Sequence, residues 1–429
     1  MRKLLSKILV IVILLSFSVG SAWAAEVEPT KDILTLDEAK ELVLKNARAL
    51  KSTEKQIDII EAQSYSIYNA YAGLKRQLNS QYTLEKLNEI QNAMSQIEGR
   101  EGFDPNSPPA DWYNLSLQKM MLQSQLQQTN SIGISQIEQM RLNYERARDG
   151  LADAKRAYED LEKTLSFSTE KLYTTILNLE NTLQILEKQY EAAMNKVKAL
   201  RLQQELGMVT ADLVKNTEVA ASNLAQSIKS LKDLLQKSKW TLNDLMGRDP
   251  DSNLQLVGFT VEGPFPTENY EIVLEQALAN NAELPKLERQ LRYYDQDGNY
   301  TDDSNDIRVL SASIDRTKLS IEDLKQSLKE SVKVLVTNHE AKAKNYQLAN
   351  VNLNTAKQTY EWAKKKYELG IISKLDFEDA EIAYQQKLNE KVNAGYEYML
   401  ARNALELAKQ GIIDSQYVAT AQASLAGGM

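Results

Sequence analysis

The sequence predicts an all-α protein made of two long antiparallel helical hairpins in tandem. Glycine and proline are scarce, at 16 and 8 of 429 residues, roughly half of average usage, so a sandwich, barrel or doubly wound sheet would lack the turns it needs. Apolar residues make up 43% of the chain, yet mean hydropathy is −0.45, a mixture that suits long helices with narrow apolar seams. Two such seams, each alternating spacings of 3 and 4, share an offset of 163 with a repeated turn motif, as expected of a duplicated coiled-coil unit.

Composition also excludes function classes. With no Cys there are no disulfides, thiolate metal sites or thiol catalysis. A single His, His339, excludes multi-His metal centres and leaves little room for His-based acid–base chemistry. No Gly-rich phosphate loop occurs. The chain reads as a non-enzyme without a cofactor. Its net charge of −8 argues against nucleic acid as a partner.

Along the chain, residues 1–24 read as a secretory signal. Arg2, Lys3 and Lys7 precede an apolar run from Ile8 to Phe17, and Ala22-Trp23-Ala24 supplies the cleavage pattern. The run is shorter than the ~20 residues of a membrane span; an uncleaved N-terminal anchor is the alternative. Cleavage removes three positive charges and takes the net charge from −8 to −11. Repeat 1 (25–256) opens with a short amphipathic helix, Leu36-Asp37-Glu38-Ala39 onward, ending near Asn46. An interruption at 99–112, with Pro105, Pro108 and Pro109, reads as a loop between helices. The first seam follows as Ile176, Leu179, Leu183, Leu186, Tyr190, Ala193, Val197 and Leu200. Glu205-Leu206-Gly207-Met208-Val209-Thr210 then turns the chain, and Leu224 to Leu245 carries the returning seam.

Residues 257–269 read as a linker, with a short strand such as 256–261 within its reach. Repeat 2 (270–410) opens at Tyr270, 234 residues after Leu36, and its helix ends near Asn280 and Asn281. An acidic stretch from Asp295 to Asp306 is the break in its helical text. A continuous helix from Asp306 to Leu369 would run roughly 95 Å. The second seam, Tyr346, Ala349, Leu353, Ala356, Tyr360, Ala363 and Tyr367, leads to Glu368-Leu369-Gly370-Ile371-Ile372-Ser373. In each turn the glycine stops the ascending helix. Thr210 and Ser373 are placed to cap the descending one, and Asp376, three residues on, completes a capping-box pair with Ser373. His339 falls on the Ile176 seam position, where it reads as a tolerated polar seam residue. Residues 411–429, rich in Ala and Gly, read as a flexible tail.

The ordered set of motifs resembles the TolC family of outer-membrane efflux proteins. The opening Leu34-Thr35-Leu36-Asp37-Glu38-Ala39-Lys40-Glu41-Leu42-Val43-Leu44-Lys45-Asn46 is similar to the family's repeat-opening helix. Tyr367 to Ala380 is similar to its hairpin turn, and Leu206 to Val214 less so, because Asp212 sits one place early. The resemblance implies a homotrimer of TolC-like α-barrel protomers, twelve helices around a lumen. It implies a passive duct gated at the hairpin tips, the outer-membrane or periplasmic component of a tripartite efflux or type I secretion system. Its partners would be a periplasmic membrane-fusion adaptor and an inner-membrane pump. By position, Asp376, Asp379 and Asp212 are pore-gate candidates, while Gly207, Val209, Thr210, Gly370, Ile372 and Ser373 are adaptor-docking candidates.

The chain departs from the family in one respect. The family inserts two β-strands between the helices of each repeat, and no stretch here has the ~10-residue alternation of a membrane strand. Two bland readings stand beside the functional ones: well-capped turns, and carboxylates favoured at helix N-termini by the macrodipole. The competing function is an exported coiled-coil scaffold of the cell envelope without a lumen.

Overall fold

A computed structural model describes residues 32–77, 81–263, 265–299 and 303–427. The secretory signal at 1–24 lies outside them. The chain enters through strand β1 (Ile33–Leu34) and helix α1 (Leu36–Asn46). Thr35 and Glu38 close a capping box on α1, the Thr35 amide donating to Glu38 Oε2 at 2.9 Å. Helices α2 (Arg48–Gln77) and α3 (Gln81–Glu98) run outward, and α4 (Ala110–Glu205) returns beside both. Its 96 residues span about 144 Å at 1.5 Å per residue. A turn leads into α5 (Ala211–Leu245), and then β2 (Gln255–Leu256) pairs in parallel with β1.

Repeat 2 follows the same plan at smaller size: α6 (Tyr270–Asn280), α7 (Glu283–Gly298), α8 (Ser304–Glu368) and α9 (Lys374–Lys409). Hairpin 1 is α4 with α5, and hairpin 2 is α8 with α9. The predicted seams are the packed faces: Ile176 and Val197 are buried, as are Tyr346 and the His339 that occupies the Ile176 position. Near its turn, hairpin 2 is filled by stacked rings, Tyr360 on Tyr384 at 5.2 Å and Tyr367 on Phe377 at 5.0 Å.

The thickest core lies at the middle of the rods, where the short opening helices dock. One cluster joins Val43 and Leu50 to Tyr173, Ile176, Leu242 and Met246; the other joins Val273 and Ala277 to Val332, Leu335 and Leu405. The duplication repeats in detail. Asn46 Nδ2 donates to the Met246 carbonyl at 3.0 Å, and Asn280 Nδ2 donates to that of Lys409 at 2.8 Å. Each opening helix is thereby tied to the end of its own returning helix. The linker is held by three tyrosines. The Tyr173 hydroxyl lies 2.9 and 2.8 Å from the carbonyls of Leu34 and Val257, Tyr396 donates to Phe259, and Tyr346 donates to Val261. Those hydroxyls bond the carbonyls of Val257, Phe259 and Val261, and regular pairing stops at Leu256.

Three expectations change. The tail read as flexible at 411–429 contains helix α10 (Ser415–Gly427), which lies against α8. Asp414 caps it through the Tyr417 amide at 2.8 Å and pairs with Lys171 at 2.5 Å, while Tyr417 meets Phe167 edge-on at 5.4 Å. The acidic break in repeat 2 is shorter than read. Helix α7 continues through Asp295–Gly298, anchored by Arg146 to Asp297 at 2.5 Å and by Tyr293 to Asp149 at 2.7 Å. Finally, Thr210 occupies the N-cap position of α5 but its side chain makes no capping bond; Asp212 stands at the second helical position, so no carboxylate at the third closes a box. Among the described residues the two-residue strands β1 and β2 are all the sheet there is, and no barrel forms.

Candidate functional site

Both hairpins turn by the same physical device. At the first tip Gly207 has φ +73°, its amide bonds the Gln204 carbonyl and the Met208 amide bonds that of Gln203 at 2.8 Å. At the second, Gly370 has φ +70° and the Ile371 amide bonds the Lys366 carbonyl at 2.8 Å. This is the Schellman arrangement, which needs a left-handed residue just past the helix end and so favours Gly. The turn fixes which side chains protrude. Leu206, Met208, Leu369 and Ile371 stand 65–75% exposed, while Val209 and Ile372 fold back to a half-buried position. The four protruding apolar residues are absent from the sequence-derived set. Their signal was available, because they flank the glycine at the same offset in both copies.

Just past the second turn, Asp376 serves the helix end. Ser373 Oγ donates to Asp376 Oδ2 at 2.7 Å, the Ser373 amide donates to the same oxygen at 3.1 Å, and the Asp376 amide donates back to Ser373 Oγ at 3.1 Å. Those bonds, the Ser373 hydroxyl first, hold the carboxyl below its ordinary value. Asp379, one turn further, lines the same groove, which holds about 680 Å³ between α4, α5 and α9. Lys196, Asn216 and Gln386 also line it. The structure therefore brings Asp376 and Asp379 together, with a cation opposite. Asp212 is exposed on the first turn of α5 and does not line the groove.

The outer faces of the hairpins carry a second feature. On α8, Leu348, Val351, Thr355, Gln358 and Trp362 are exposed at alternating spacings of 3 and 4, on the side turned away from α9. On α5, Leu213, Val219 and Leu234 are exposed singly, at spacings of 6 and 15. The α8 seam, with no partner in the chain, is a helix-packing face. Among the described residues no cluster of three or more His, Asp or Glu could hold a metal ion, and no helix is long and apolar enough to cross a membrane.

Comparison with solved structures places this architecture. The chain is similar to the Campylobacter jejuni CmeC outer membrane channel, with TM-score 0.58 and 12% identity over 95% of this chain and 97% of that one. It is similar to the outer membrane protein VceC of Vibrio cholerae, with TM-score 0.52 and 13% identity over 88% and 96%. It is also similar to the Neisseria gonorrhoeae MtrE outer membrane channel, with TM-score 0.53 and 13% identity over 88% and 89%. No protein-family model matches the sequence, and no curated protein matches it. The fold is that of the TolC-like helical channels.

Proposed function

We propose that this chain is the protomer of a homotrimeric helical duct, a channel component of a tripartite efflux or type I secretion system in the cell envelope. The observation that carries the reading is the unpartnered seam on α8. Hairpins 1 and 2 meet through α4 and α9, which leaves α5 and the apolar face of α8 on opposite outer edges. Joining α5 of one copy to α8 of the next buries both and closes a ring under cyclic symmetry. Twelve helices in such a ring, at about 10 Å spacing, have their axes about 19 Å from the centre and enclose an open lumen. The duct is passive and takes its energy from an inner-membrane pump.

The tips are its working end. Leu206, Met208, Leu369 and Ile371, beside Gly207, Val209, Thr210, Gly370, Ile372 and Ser373, form the apolar rim on which a periplasmic membrane-fusion adaptor docks. Asp376 and Asp379, tripled in the trimer, set the charge at the entrance, where rings of like charge shape passage. Asp212 lies farther from this groove and contributes less. Export follows the N-terminal signal, and the chain performs no catalysis. Native mass measurement of the mature protein tests the ring. The wild type runs as a trimer, and Val351→Glu with Trp362→Glu on the outer face of α8 shifts it to single chains. A wild-type mass of one chain would overturn the proposal. One observation favours a second reading, an envelope scaffold without a lumen: among the described residues nothing forms the barrel strands of a membrane pore.

A further inference from the structure

The two repeats differ most at the end of the molecule opposite the tips. Helices α2 and α3 form an outgoing rod beside α4, in register through Lys155 with Glu61 at 3.2 Å, Tyr68 with Tyr144 at 5.3 Å and Trp112 with Glu98 at 2.9 Å. Repeat 2 has only α7 and the start of α8 there. The offset of 163 places Ser304, where α8 begins, level with residue 141 of α4, and Arg146 with Asp297 confirms that level. Residues 110–141 of α4 therefore run on beside only α3 and the last turns of α2, about 47 Å beyond repeat 2 at 1.5 Å per residue.

Charge changes at the same level. From residue 138 to 163, 13 of 26 residues are charged; from 112 to 137, one of 26 is, namely Lys119. Lys119 turns inward to Gln91 on α3. Helix α3 keeps its charges, Glu85, Lys86, Glu89 and Glu98. Opposite α3, α4 exposes Tyr113, Leu117, Met120 and Met121, from 37% to 64%. Within the overhang, Met94 and Ile97 of α3 are buried. A helix freed of charge on all sides, paired with one that keeps its charges, has an inner and an outer member. Depletion of charge marks the centre of a protein interface. Lipid fits poorly, since residues 112–137 hold six glutamines.

We infer that beyond the level of residues 141 and 304 the assembly narrows to a six-helix neck, in which the Tyr113–Leu117–Met120 face of α4 packs against its counterparts from the other two copies. The inference rests on the trimeric duct of the preceding section. Three α4 helices in mutual contact at about 10 Å spacing have their axes about 6 Å from the centre, inside the three α3 helices. The lumen contracts there, with α4 inward and the charges of α3 outward.

The absence of Cys makes the test direct. In the full chain, Met120→Cys and Leu117→Cys, both at exposed positions, are treated with a short bis-maleimide, beside Glu89→Cys on the outer rod. Native mass is measured on the same samples. The neck predicts covalent dimers from Met120→Cys and Leu117→Cys, with roughly two of every three chains joined around a three-fold axis, and at least ten-fold less from Glu89→Cys. A trimeric mass without these dimers overturns the neck and leaves the duct standing; a single-chain mass overturns the duct itself. A polarity-sensitive dye on Met120→Cys that shifts blue only when phosphatidylcholine vesicles are added would assign the face to lipid and overturn the neck.

Discussion

Replacing Ser373 by Ala should loosen the second tip and leave the first unchanged. The side chain accepts from the Asp376 amide at 3.1 Å and donates to Asp376 Oδ2 at 2.7 Å, so the substitution removes the hydroxyl half of the capping box and leaves only the bond from the residue 373 backbone amide to Asp376 Oδ2. Loss of an N-cap of this kind costs about 1 kcal/mol, which is about a five-fold increase in local opening. Thr210 makes no side-chain bond to its helix, so Thr210→Ala should change opening less than about two-fold. Amide hydrogen exchange followed by mass spectrometry reads both tips in one experiment. Peptides covering 370–380 should exchange about five-fold faster in Ser373→Ala, with peptides covering 207–217 unaltered in either variant. The effect also depends on pH. The folded state holds the Asp376 carboxyl below its ordinary value, so its contribution is complete above that ordinary value and is lost as pH falls through the lower folded one. Equal acceleration at the two tips, or none at the second, would refute the idea that capping chemistry separates them.

Three further outcomes are expected. Asp379→Ala, which leaves the Ser373–Asp376 box intact, should raise the conductance of the duct reconstituted in a planar bilayer, and unchanged conductance would remove Asp379 from the gate. Tyr173→Phe leaves the carbonyls of Leu34 and Val257 without the hydroxyl that lies within 2.9 Å of both; it should cost about 1–3 kcal/mol in denaturant unfolding, and a change below about 0.5 kcal/mol would contradict the role given to the linker. His339 is 1% exposed beside Tyr398, with neither ring nitrogen bonded and its pKa lowered chiefly by burial. The neutral form is the one that fits, so stability is full above the ordinary value of about 6.5 and falls as pH drops below it; His339→Leu should flatten that slope between pH 7 and 5 in thermal unfolding.

The hairpins were legible because a 3–4 seam is a local pattern that survives any tertiary context, and the turn glycines because a left-handed residue is demanded at that one place. Helix α10 was not legible. Its own residues are mostly small, and what orders it lies far away in sequence: Phe167, Lys171 and Asn338. The extension of α7 through Asp297 depends likewise on Arg146 of the other repeat. At the tips, the turn was readable but the protruding set was not, since the Schellman geometry exposes Met208 and Ile371 and turns Val209 and Ile372 inward. A shift of one residue separates Asp212 from Asp376, and it decides which tip is capped by its own carboxylate. The overhang of α4 was visible as a difference in length between repeats, but its meaning required knowing where α8 begins.

The account stands most directly on the cross-section of the assembled protein, obtained from averaged particle images of the mature chain. It predicts a hollow cylinder of three-fold symmetry with twelve helices around an open centre between the tips and the level of residues 141 and 304, narrowing beyond. Particles holding one copy, or a filled bundle without a central channel at that level, would contradict it.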